Sequence, residues 1–512
     1  MNNRLIHFVV CLGLVSSLSM PSMARNVEVR PLTDSTTVLR NPLSGWVMYL
    51  ARTWDENFWE ERGYDHISMP GGRTAKVSDY ASTAYVRTSW ASLEPEEGKY
   101  AWTDPDSRLN RLLSSCQQRG MRIALRIVVD ARDQGQNTPL FVKDAGAEGF
   151  YTKIGNKECF TPYADDPVFQ QKYSNFIHAL AERFNDPDEM DFIDAYGLGK
   201  WGEGHAVVYK DNKNKIPTFD WITSLYVGTF TKTPLLMHYH RVIGDPNQNS
   251  YGEVSPDTEG MLKSCYDKGY SLRHDAFGMT DYYQQWEKDY AARYKFVRPI
   301  ILEGGWITGA HHRYWIDSSH RYRQDHPEDV RHGEYVDAAE AHVNMMDLRA
   351  GNETYSWFAA VDTTRNDNTS LVESFVREGS YRLHPAVVKY NNSVKAGKKV
   401  SITHTWDNMG WGYCPTNIPQ WHQRYKVAFA LMNEDGEISN VVVDNQTDLS
   451  KWIKGAPVTY QFDYPVDKKG TYKLLTGLVY TDEGNKIGIQ VAVDQSLKTK
   501  EGWVILGDIK IK

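Results

Sequence analysis

Short apolar runs of strand length recur along the first part of the chain, and segments with helical signals separate them. Amphipathic segments lie between most of these runs, and "DPDSRLNRLLSSCQQRG" is typical, since it opens with Asp-Pro, carries leucines on one face and stops at Gly120. Alternating strands and helices predict a parallel sheet, and eight such units predict a (β/α)8 barrel. The eight predicted strands are residues 45–51, 83–90, 122–130, 191–199, 234–240, 273–279, 299–305 and 354–360.

An open doubly wound sheet is the competing interpretation of the same alternation. If such a sheet bound a dinucleotide, a glycine-rich phosphate turn would follow its first strand. The stretch "MYLARTWDENFW" contains no such turn. The barrel is therefore the favoured fold.

The hydrophobic pattern changes after about residue 394. From there to the end of the chain, apolar and polar residues alternate, and turn signals such as "NEDGE", "DKKG" and "DEGNK" separate the runs. This pattern is typical of an antiparallel β-sandwich. The sequence thus predicts a catalytic barrel over residues 25–394 and an accessory β-sandwich over residues 395–512.

The first 24 residues resemble a signal peptide. Arg4 lies in a polar start, an apolar stretch follows, and the small residues Ser22 and Ala24 predict cleavage after Ala24. The apolar stretch is too short to span a bilayer comfortably, so we expect a periplasmic or secreted protein without a membrane span. Export would permit disulfides, but for a chain of this size the widely spaced cysteines are predicted to be buried free thiols: Cys116, Cys159, Cys265 and Cys414.

Charge and composition argue against several classes of partner. The chain has 512 residues, a formal net charge of -7 and no basic run, so no nucleic-acid partner is predicted. The cysteines show no CxxC spacing that would indicate a structural zinc site. His238 and His240 of "HYH" lack an obvious third ligand. The sequence therefore predicts no metal and no cofactor. Aromatic residues make up 12% of the chain, which suits stacking on sugar rings.

Two carboxylates follow predicted strands in similar surroundings. Glu203 lies in "GLGKWGEGH" after the fourth strand, and Glu303 lies in "RPIILEGGW" at the end of the seventh. A barrel brings the carboxyl ends of its strands together at one mouth. Glycoside cleavage needs a protonated and an ionised carboxyl group there, and Trp201 offers an apolar wall that favours the protonated form. Singly, each glutamate is more simply a helix cap or an ion-pair partner, whereas the two together favour catalysis.

These motifs resemble those of the clan A glycoside hydrolases, whose acid/base follows strand four and whose nucleophile ends strand seven. The resemblance implies that Glu203 is the acid/base and Glu303 the nucleophile of a retaining mechanism. The segment "YVRTSWASLEPEEGKYAW" is similar to the second-strand region of barrel galactosidases, in which Arg87 would bind a catalytic carboxylate. "TYSWFA" resembles their eighth strand, whose tryptophan, here Trp357, forms the floor of the sugar site. The C-terminal sandwich resembles accessory domains of little-studied exported bacterial proteins.

One position departs from the clan A pattern. The family usually has an asparagine before the acid/base, where this chain has Gly202. His205, His240 or Asp275 could make the contact with sugar that this asparagine makes in the family, and the sequence does not choose among the three. Trp306 and Trp357 are expected to touch sugar, whereas Arg126 and Asp130 on strand three are interpreted as a barrel salt bridge, and Arg87 fits a structural ion pair equally well.

The sequence therefore predicts an exported glycoside hydrolase acting on an oligo- or polysaccharide. A non-catalytic carbohydrate-binding barrel is the alternative from another class, and an inverting hydrolase is the alternative within the same one. The sugar, the linkage and the choice between endo and exo action are left open, because they depend on the loops around the mouth.

Overall fold

The structure contains a closed barrel of eight parallel strands, in which each strand pairs with the next along the chain. It is a computed structural model that describes residues 25–50, 57–132, 134–246, 253–278, 282–305 and 330–512. The barrel strands are β1 (Gly45–Leu50), β2 (Ala81–Ser89), β3 (Arg122–Val128), β4 (Met190–Asp194), β5 (Leu235–His238), β6 (Ser271–Phe277), β7 (Ile300–Gly304) and β8 (Met345–Asp347). The predicted barrel is confirmed, and seven of its strands overlap their predicted ranges.

The eighth strand was placed wrongly by the sequence analysis. Residues 354–359 belong to the helix Asn352–Ala359, which buries Thr354, Trp357 and Phe358 at i, i+3 and i+4 spacing. The true β8 has only three residues and lies before the predicted range. Because both misplaced segments are short and apolar, periodicity separates them poorly.

Helices surround the barrel, and the helix Pro167–Phe184 illustrates why they form. Asp166 caps it by accepting a hydrogen bond from the backbone N–H of Phe169, and Pro167 occupies its first turn. Its buried face carries aromatic residues that include Tyr173 and Phe176. The other helices of eight or more residues are Arg108–Gln118, Lys215–Thr229, Thr258–Asp267, Gln285–Tyr294, Val330–Glu340, Asn352–Ala359 and Leu371–Glu378.

Two antiparallel sheets form the C-terminal β-region. One contains Lys398–Asn408 and Val458–Val466, and the other contains Tyr425–Met432, Gly470–Tyr480 and Val504–Ile511. The first sheet also includes Leu383–Asn391 and the N-terminal strand Asn26–Val29, while Ser393–Val394, Ile438–Asp444 and Lys486–Ile489 extend the second. The division predicted between residues 394 and 395 therefore falls inside the paired β-region, and the chain contributes a strand to it before the barrel begins.

A continuous apolar cluster joins the interior of the barrel to the core between these sheets. Val47, Tyr85 and Phe192 from barrel strands belong to the same cluster as Trp406 and Trp421 from the C-terminal region. The joint lies at the amino end of the barrel strands, where Tyr381 donates to the carbonyl of Pro42, just before β1. The opposite, carboxyl end of the barrel is left for a functional site.

The four cysteines outside the predicted signal peptide are buried thiols, as the sequence analysis expected: Cys116, Cys159, Cys265 and Cys414. Among the described residues, none of the helices combines the length and the apolar character needed to cross a bilayer.

Candidate active site

Glu203 and Glu303 lie at the carboxyl end of the barrel. Glu303 is the fourth residue of β7, and Glu203 lies in a tight loop closed by a bridge between Lys200 and His205. The loop requires glycine at residue 204, where φ is +79° and a β-carbon would lie 2.3 Å from the Ile243 side chain. The glycines around Glu203 thus fold the chain sharply enough to bring this carboxylate back over the barrel mouth.

Arg126 of β3 connects the two glutamates. One terminal nitrogen of its guanidinium donates to Glu203 Oε1, and the other donates to Glu303 Oε2 at 2.7 Å. Its Nε donates to Asp194 Oδ2 at 2.8 Å, and the whole side chain is inaccessible to solvent. The two carboxylates therefore face each other across a single side chain. The interpretation of Arg126 and Asp130 as a salt bridge was wrong, because Asp130 pairs with Arg132 instead.

Glu303 is surrounded by guanidinium groups. Besides Arg126, Arg273 of β6 donates to its Oε2 at 2.9 Å, and Arg349, which follows β8, donates to its Oε1 at 2.8 Å. Burial by itself raises the pKa of Glu303, but Arg126, Arg273 and Arg349 outweigh it and hold that pKa well below its usual range. This carboxylate is ionised at neutral pH.

Glu203 has the opposite electrostatic environment. Burial raises the pKa of its carboxyl group, Arg126 opposes the rise, and the nearby carboxylates of Asp275 and Glu303 add to it. Its second oxygen, Oε2, faces His205 Nε2 at 3.8 Å. The site thus pairs one carboxyl group that favours its proton with one that has lost it, which is the usual arrangement of an acid/base and a nucleophile.

Two predicted histidines support the loop that carries Glu203. The rings of His205 and His240 stack with their centroids 4.1 Å apart, and His240 Nε2 lies 2.9 Å from the backbone oxygen of Glu203. Burial lowers the pKa of His205 to about 3, so this ring is neutral at neutral pH. Both residues therefore lie beside the Glu203 loop, and His240 supports the position of Glu203, while their contact with sugar stays a prediction.

Asp275 also reaches the site, through an irregularity in β6. The register with β7 shifts between His274 and Phe277, and Ala276 has a φ of +58°, an unusual value for a residue with a side chain. Burial and the charge of Glu303 raise the pKa of Asp275 to about 6.

The remaining predicted residues have different outcomes. Arg87 donates to Tyr49 Oη at 2.9 Å. The Trp201 ring lies 5.9 Å from that of His205, so it is near the acid/base loop as expected. Trp306 lies outside the described residues. Trp357 was placed wrongly, because it belongs to a helix outside the barrel, where its ring is fully buried.

The burial of Trp357 excludes the predicted contact with sugar. Its ring centroid lies 5.0 Å from that of Trp46, and the Arg331 guanidinium lies 5.0 Å above its face. A side chain enclosed in this way has no face left for a ligand.

Gly202 is explained by the position of Arg126. A β-carbon at Gly202 would lie 3.4 Å from Cδ of Arg126 and 3.3 Å from the backbone oxygen of Ile127. Gly202 also has a φ of +76°, which disfavours most side chains. The position at which the clan A resemblance would place an asparagine is therefore a glycine because the aliphatic part of Arg126 passes next to it.

The histidines of "HYH" contact polar groups around the two glutamates. His238 Nε2 lies beside Arg126 Nη2, while His240 contacts the Glu203 loop. Three atoms of the kind that bind metal ions, one each from Glu203, His205 and Asp275, lie within 4.8 Å of one another.

A cavity of about 550 Å³ opens beside the end of β2, which is a typical size for a small-molecule site. Arg87 lines it, and in the barrel sheet Arg87 lies directly beside Arg126. Polar side chains around it include Ser89, Ser92 and Gln136. The cavity therefore adjoins the arginine that joins Glu203 to Glu303.

Sequence reasoning did not assign to the site the arginines that organise it. Arg126 in "RIALRIV" and Arg273 in "SLRHDAF" interrupt buried strands, and both side chains are fully buried. A charge in a buried strand must be paired, so these two positions carried a usable signal. Arg349 follows the strand that was itself misplaced and could not have been assigned to the site.

Comparisons with known proteins give only matches of low similarity. No known protein-family profile matches, and no curated protein matches its sequence. Among solved structures, the catalytic domain of beta-amylase from Paenibacillus polymyxa is 9% identical with a TM-score of 0.38, covering 66% of this chain and 98% of that one. Endo-glycoceramidase II from Rhodococcus sp. is 12% identical with a TM-score of 0.33, covering 84% and 99%. Xylanase B from Clostridium stercorarium F9 is 14% identical with a TM-score of 0.31, covering 59% and 85%.

A buried carboxyl group next to β7 makes stability depend on pH. Glu334 accepts a hydrogen bond from the backbone N–H of Gly305, and burial raises its pKa to about 7 although Arg331 opposes the rise. Since the folded pKa exceeds the unfolded one, this group favours folding below about pH 4.5, and that contribution is lost as the pH rises to about 7. Glu334→Gln should remove a fall of roughly 3 kcal/mol in the unfolding free energy across this window.

Urea unfolding of wild type and Glu334→Gln at several pH values between 4.5 and 8 measures this difference. Glu501→Gln, at an exposed position, is the control and should keep the wild-type slope. Equal slopes for wild type and Glu334→Gln would show that Glu334 is ionised throughout.

Proposed function

We propose that this chain is an exported glycoside hydrolase that cleaves an oligo- or polysaccharide by a retaining double displacement. The observation that supports this most directly is the opposite shift of two facing buried carboxyl groups, with the pKa of Glu203 raised and that of Glu303 lowered. Glycoside cleavage by two carboxyl groups needs one proton donor and one ionised partner. The pair also lies at the end of the barrel where catalytic groups of this fold are found.

In this mechanism Glu303 attacks the anomeric carbon while Glu203 gives its proton to the departing glycosidic oxygen. The C–O bond to the leaving group breaks, and a covalent glycosyl–enzyme ester forms on Glu303. Glu203, now ionised, takes a proton from water, whose oxygen attacks the same carbon and releases Glu303. Two inversions give net retention, and both glutamates return to their starting states.

The arginines have a defined part in this scheme. Arg273 and Arg349 keep Glu303 ionised while it waits for substrate. Arg126 holds the two carboxylates in one geometry, and a sugar reaches them only when its own hydroxyls replace some of these hydrogen bonds. The cavity beside Arg87 is the proposed place for a further part of the saccharide.

Export is part of the proposal and rests on the sequence alone. The segment with the signal-peptide pattern, residues 1–24, lies outside the described residues. Periplasmic or secreted localisation would give the enzyme access to polysaccharides that do not enter the cell.

The alternative function is a carbohydrate-binding barrel without turnover. It is favoured by the Arg126 bridge, because both oxygens of Glu303 and one of Glu203 already accept bonds from guanidinium groups. Gly202 adds to this alternative, since the clan A asparagine that would bind the sugar is absent. An inverting hydrolase on the same scaffold remains the second alternative.

A panel of chromogenic aryl glycosides tests the proposal. Wild type should release the aryl group from at least one glycoside, while Glu303→Gln, which keeps the shape but not the charge, should lose this activity. Glu501→Gln, an exposed glutamate, is the matched control and should remain fully active. Saccharide binding by an inert wild type would support the binding-protein alternative, and full activity of Glu303→Gln would exclude the proposed nucleophile.

A further inference from the structure

Glu203, His205 and Asp275 bring three metal-ligating atoms together at the barrel mouth. One carboxylate oxygen from each acidic residue and one ring nitrogen of His205 all lie within 4.8 Å of one another. Glu203 and His205 come from the loop after β4 and are close in sequence. Asp275 comes from β6, so the fold itself assembles the set.

Glu203 contributes an oxygen that is not engaged by the arginine. Its side chain is 6% exposed, and Arg126 donates to Oε1. Among the described residues, none donates a hydrogen bond to Oε2, which faces His205 Nε2 at 3.8 Å. Oε2 is therefore available to a further ligand on the side that faces His205.

Asp275 Oδ1 lies 4.0 Å from His274 Nδ1. Burial lowers the pKa of His274 well below its usual value, so this ring is neutral and does not compensate the charge of Asp275. The Asp275 side chain is 24% exposed, so the three-residue cluster has a route to solvent. Two carboxylates and an imidazole therefore lie together at the mouth, where Asp275 is partly open to solvent.

We infer that Glu203, His205 and Asp275 form a binding site for a divalent transition-metal cation of the zinc or manganese type. Imidazole nitrogen favours such ions over calcium and magnesium, which prefer oxygen ligands alone. Zinc holds nitrogen and oxygen ligands at about 2.0–2.2 Å, so tetrahedral geometry separates two ligand atoms by about 3.4 Å. The 3.8 Å between Glu203 and His205 is close to that spacing, and three protein ligands leave a position for water or a sugar hydroxyl.

The cation has a predictable relation to the proposed hydrolysis. By binding Glu203 Oε2 it keeps this carboxylate ionised and removes the proton donor, so a bound cation inhibits the enzyme. This consequence rests on the proposed function, whereas cation binding itself does not. Binding measured without substrate therefore separates the two proposals.

Equilibrium dialysis of the chelator-treated full chain against zinc chloride or manganese chloride, followed by elemental analysis, tests the site. Wild type should bind one equivalent of at least one of the two ions. Asp275→Asn and His205→Gln should each weaken that binding by about 100-fold or more, because loss of a ligand exceeds the 10–100-fold cost of losing a group that only supports one. The matched controls are the exposed residues Asp508 and His178, and Asp508→Asn and His178→Gln should bind as wild type does.

Cobalt(II) provides a spectroscopic readout on the same proteins. The wild-type chain should give the intense visible bands of a four-coordinate cobalt site, and His205→Gln should lose them. Thermal unfolding of each metal-free variant identifies any that fails to fold, and in that case the other variant decides. The inference would be overturned if the folded wild type bound no stoichiometric metal, or if wild type and both ligand variants bound it equally. A proton shared among the three side chains would then explain their proximity.

Discussion

Replacing Glu303 with alanine should reduce turnover of an activated aryl glycoside by about 10⁴-fold or more, since loss of a nucleophile removes the covalent route altogether. Azide should restore part of the rate by entering the space that the carboxylate leaves. Because azide attacks the sugar directly in one displacement, the glycosyl azide product should have inverted configuration. Three guanidinium groups surround this space and would also favour an anion there.

The corresponding change at Glu203 should give a different stereochemical result. Glu203→Ala leaves the nucleophile in place, and an activated leaving group needs little protonation, so the first step should survive. The second step should become slow because water lacks its base, and azide, which needs no base, should restore turnover with retained configuration. Product configuration is measured by NMR of the isolated glycosyl azides.

The two variants together decide the roles of the glutamates. An inverted product from Glu203→Ala with a retained product from Glu303→Ala would mean that the roles are exchanged. Absence of rescue in both variants, with wild type inert across the substrate panel, would favour the carbohydrate-binding alternative. Glu501→Ala, at an exposed position, is the control and should show wild-type turnover that azide does not raise.

The barrel and its two glutamates could be predicted because each signal is local. A buried strand followed by glycine-rich turns is visible in "DFIDAYGLGKWGEGH" and in "RPIILEGGW", and the fold rule then brings their ends together. The structure also explains the loop glycines, since a β-carbon at residue 204 would collide with the Ile243 side chain.

The eighth strand was not predictable from the same signals. β8 has three residues, Met345–Asp347, and a run this short shows neither strand alternation nor helical periodicity. The aromatic residues of "TYSWFA" gave a stronger strand signal, although tertiary packing of Trp357 against Trp46 places them in a helix. The error in Trp357 followed directly from the error in the strand.

The charge network could be anticipated only in part. Arg126 and Arg273 stand out as charges within apolar strands, but their carboxylate partners come from β4, β7 and β8 and from the loop after β4. Pairing at such sequence separations depends on the closed barrel and not on local pattern. The pairing of Asn26–Val29 with Leu383–Asn391 is a second case, because it links the two ends of the barrel segment.

We expect Arg126 to determine both the unfolding free energy and the protonation of the two glutamates. It is fully buried and compensates Asp194, Glu203 and Glu303 together. Arg126→Gln leaves these carboxylates without their shared cation, and breaking a buried pair of this kind costs about 3–5 kcal/mol. Urea unfolding at pH 7.5 should show this loss, and the loss should be smaller at pH 5, where protonation relieves uncompensated carboxylates.

The pH dependence of hydrolysis gives a second readout for the same side chain, one that a purely structural role would not change. Arg126 lowers the pKa values of both Glu303 and Glu203, so its removal raises both. The acidic and the basic limb of the kcat/KM profile should therefore move to higher pH in Arg126→Gln, and less in Arg126→Lys, which keeps the charge. Arg122→Gln is the matched control, because Arg122 lies on the same strand and pairs with Asp191 at the opposite end of the barrel. It should lose stability while keeping the wild-type profile, and a profile unchanged in Arg126→Gln would show that Arg126 does not set the charge of the two glutamates.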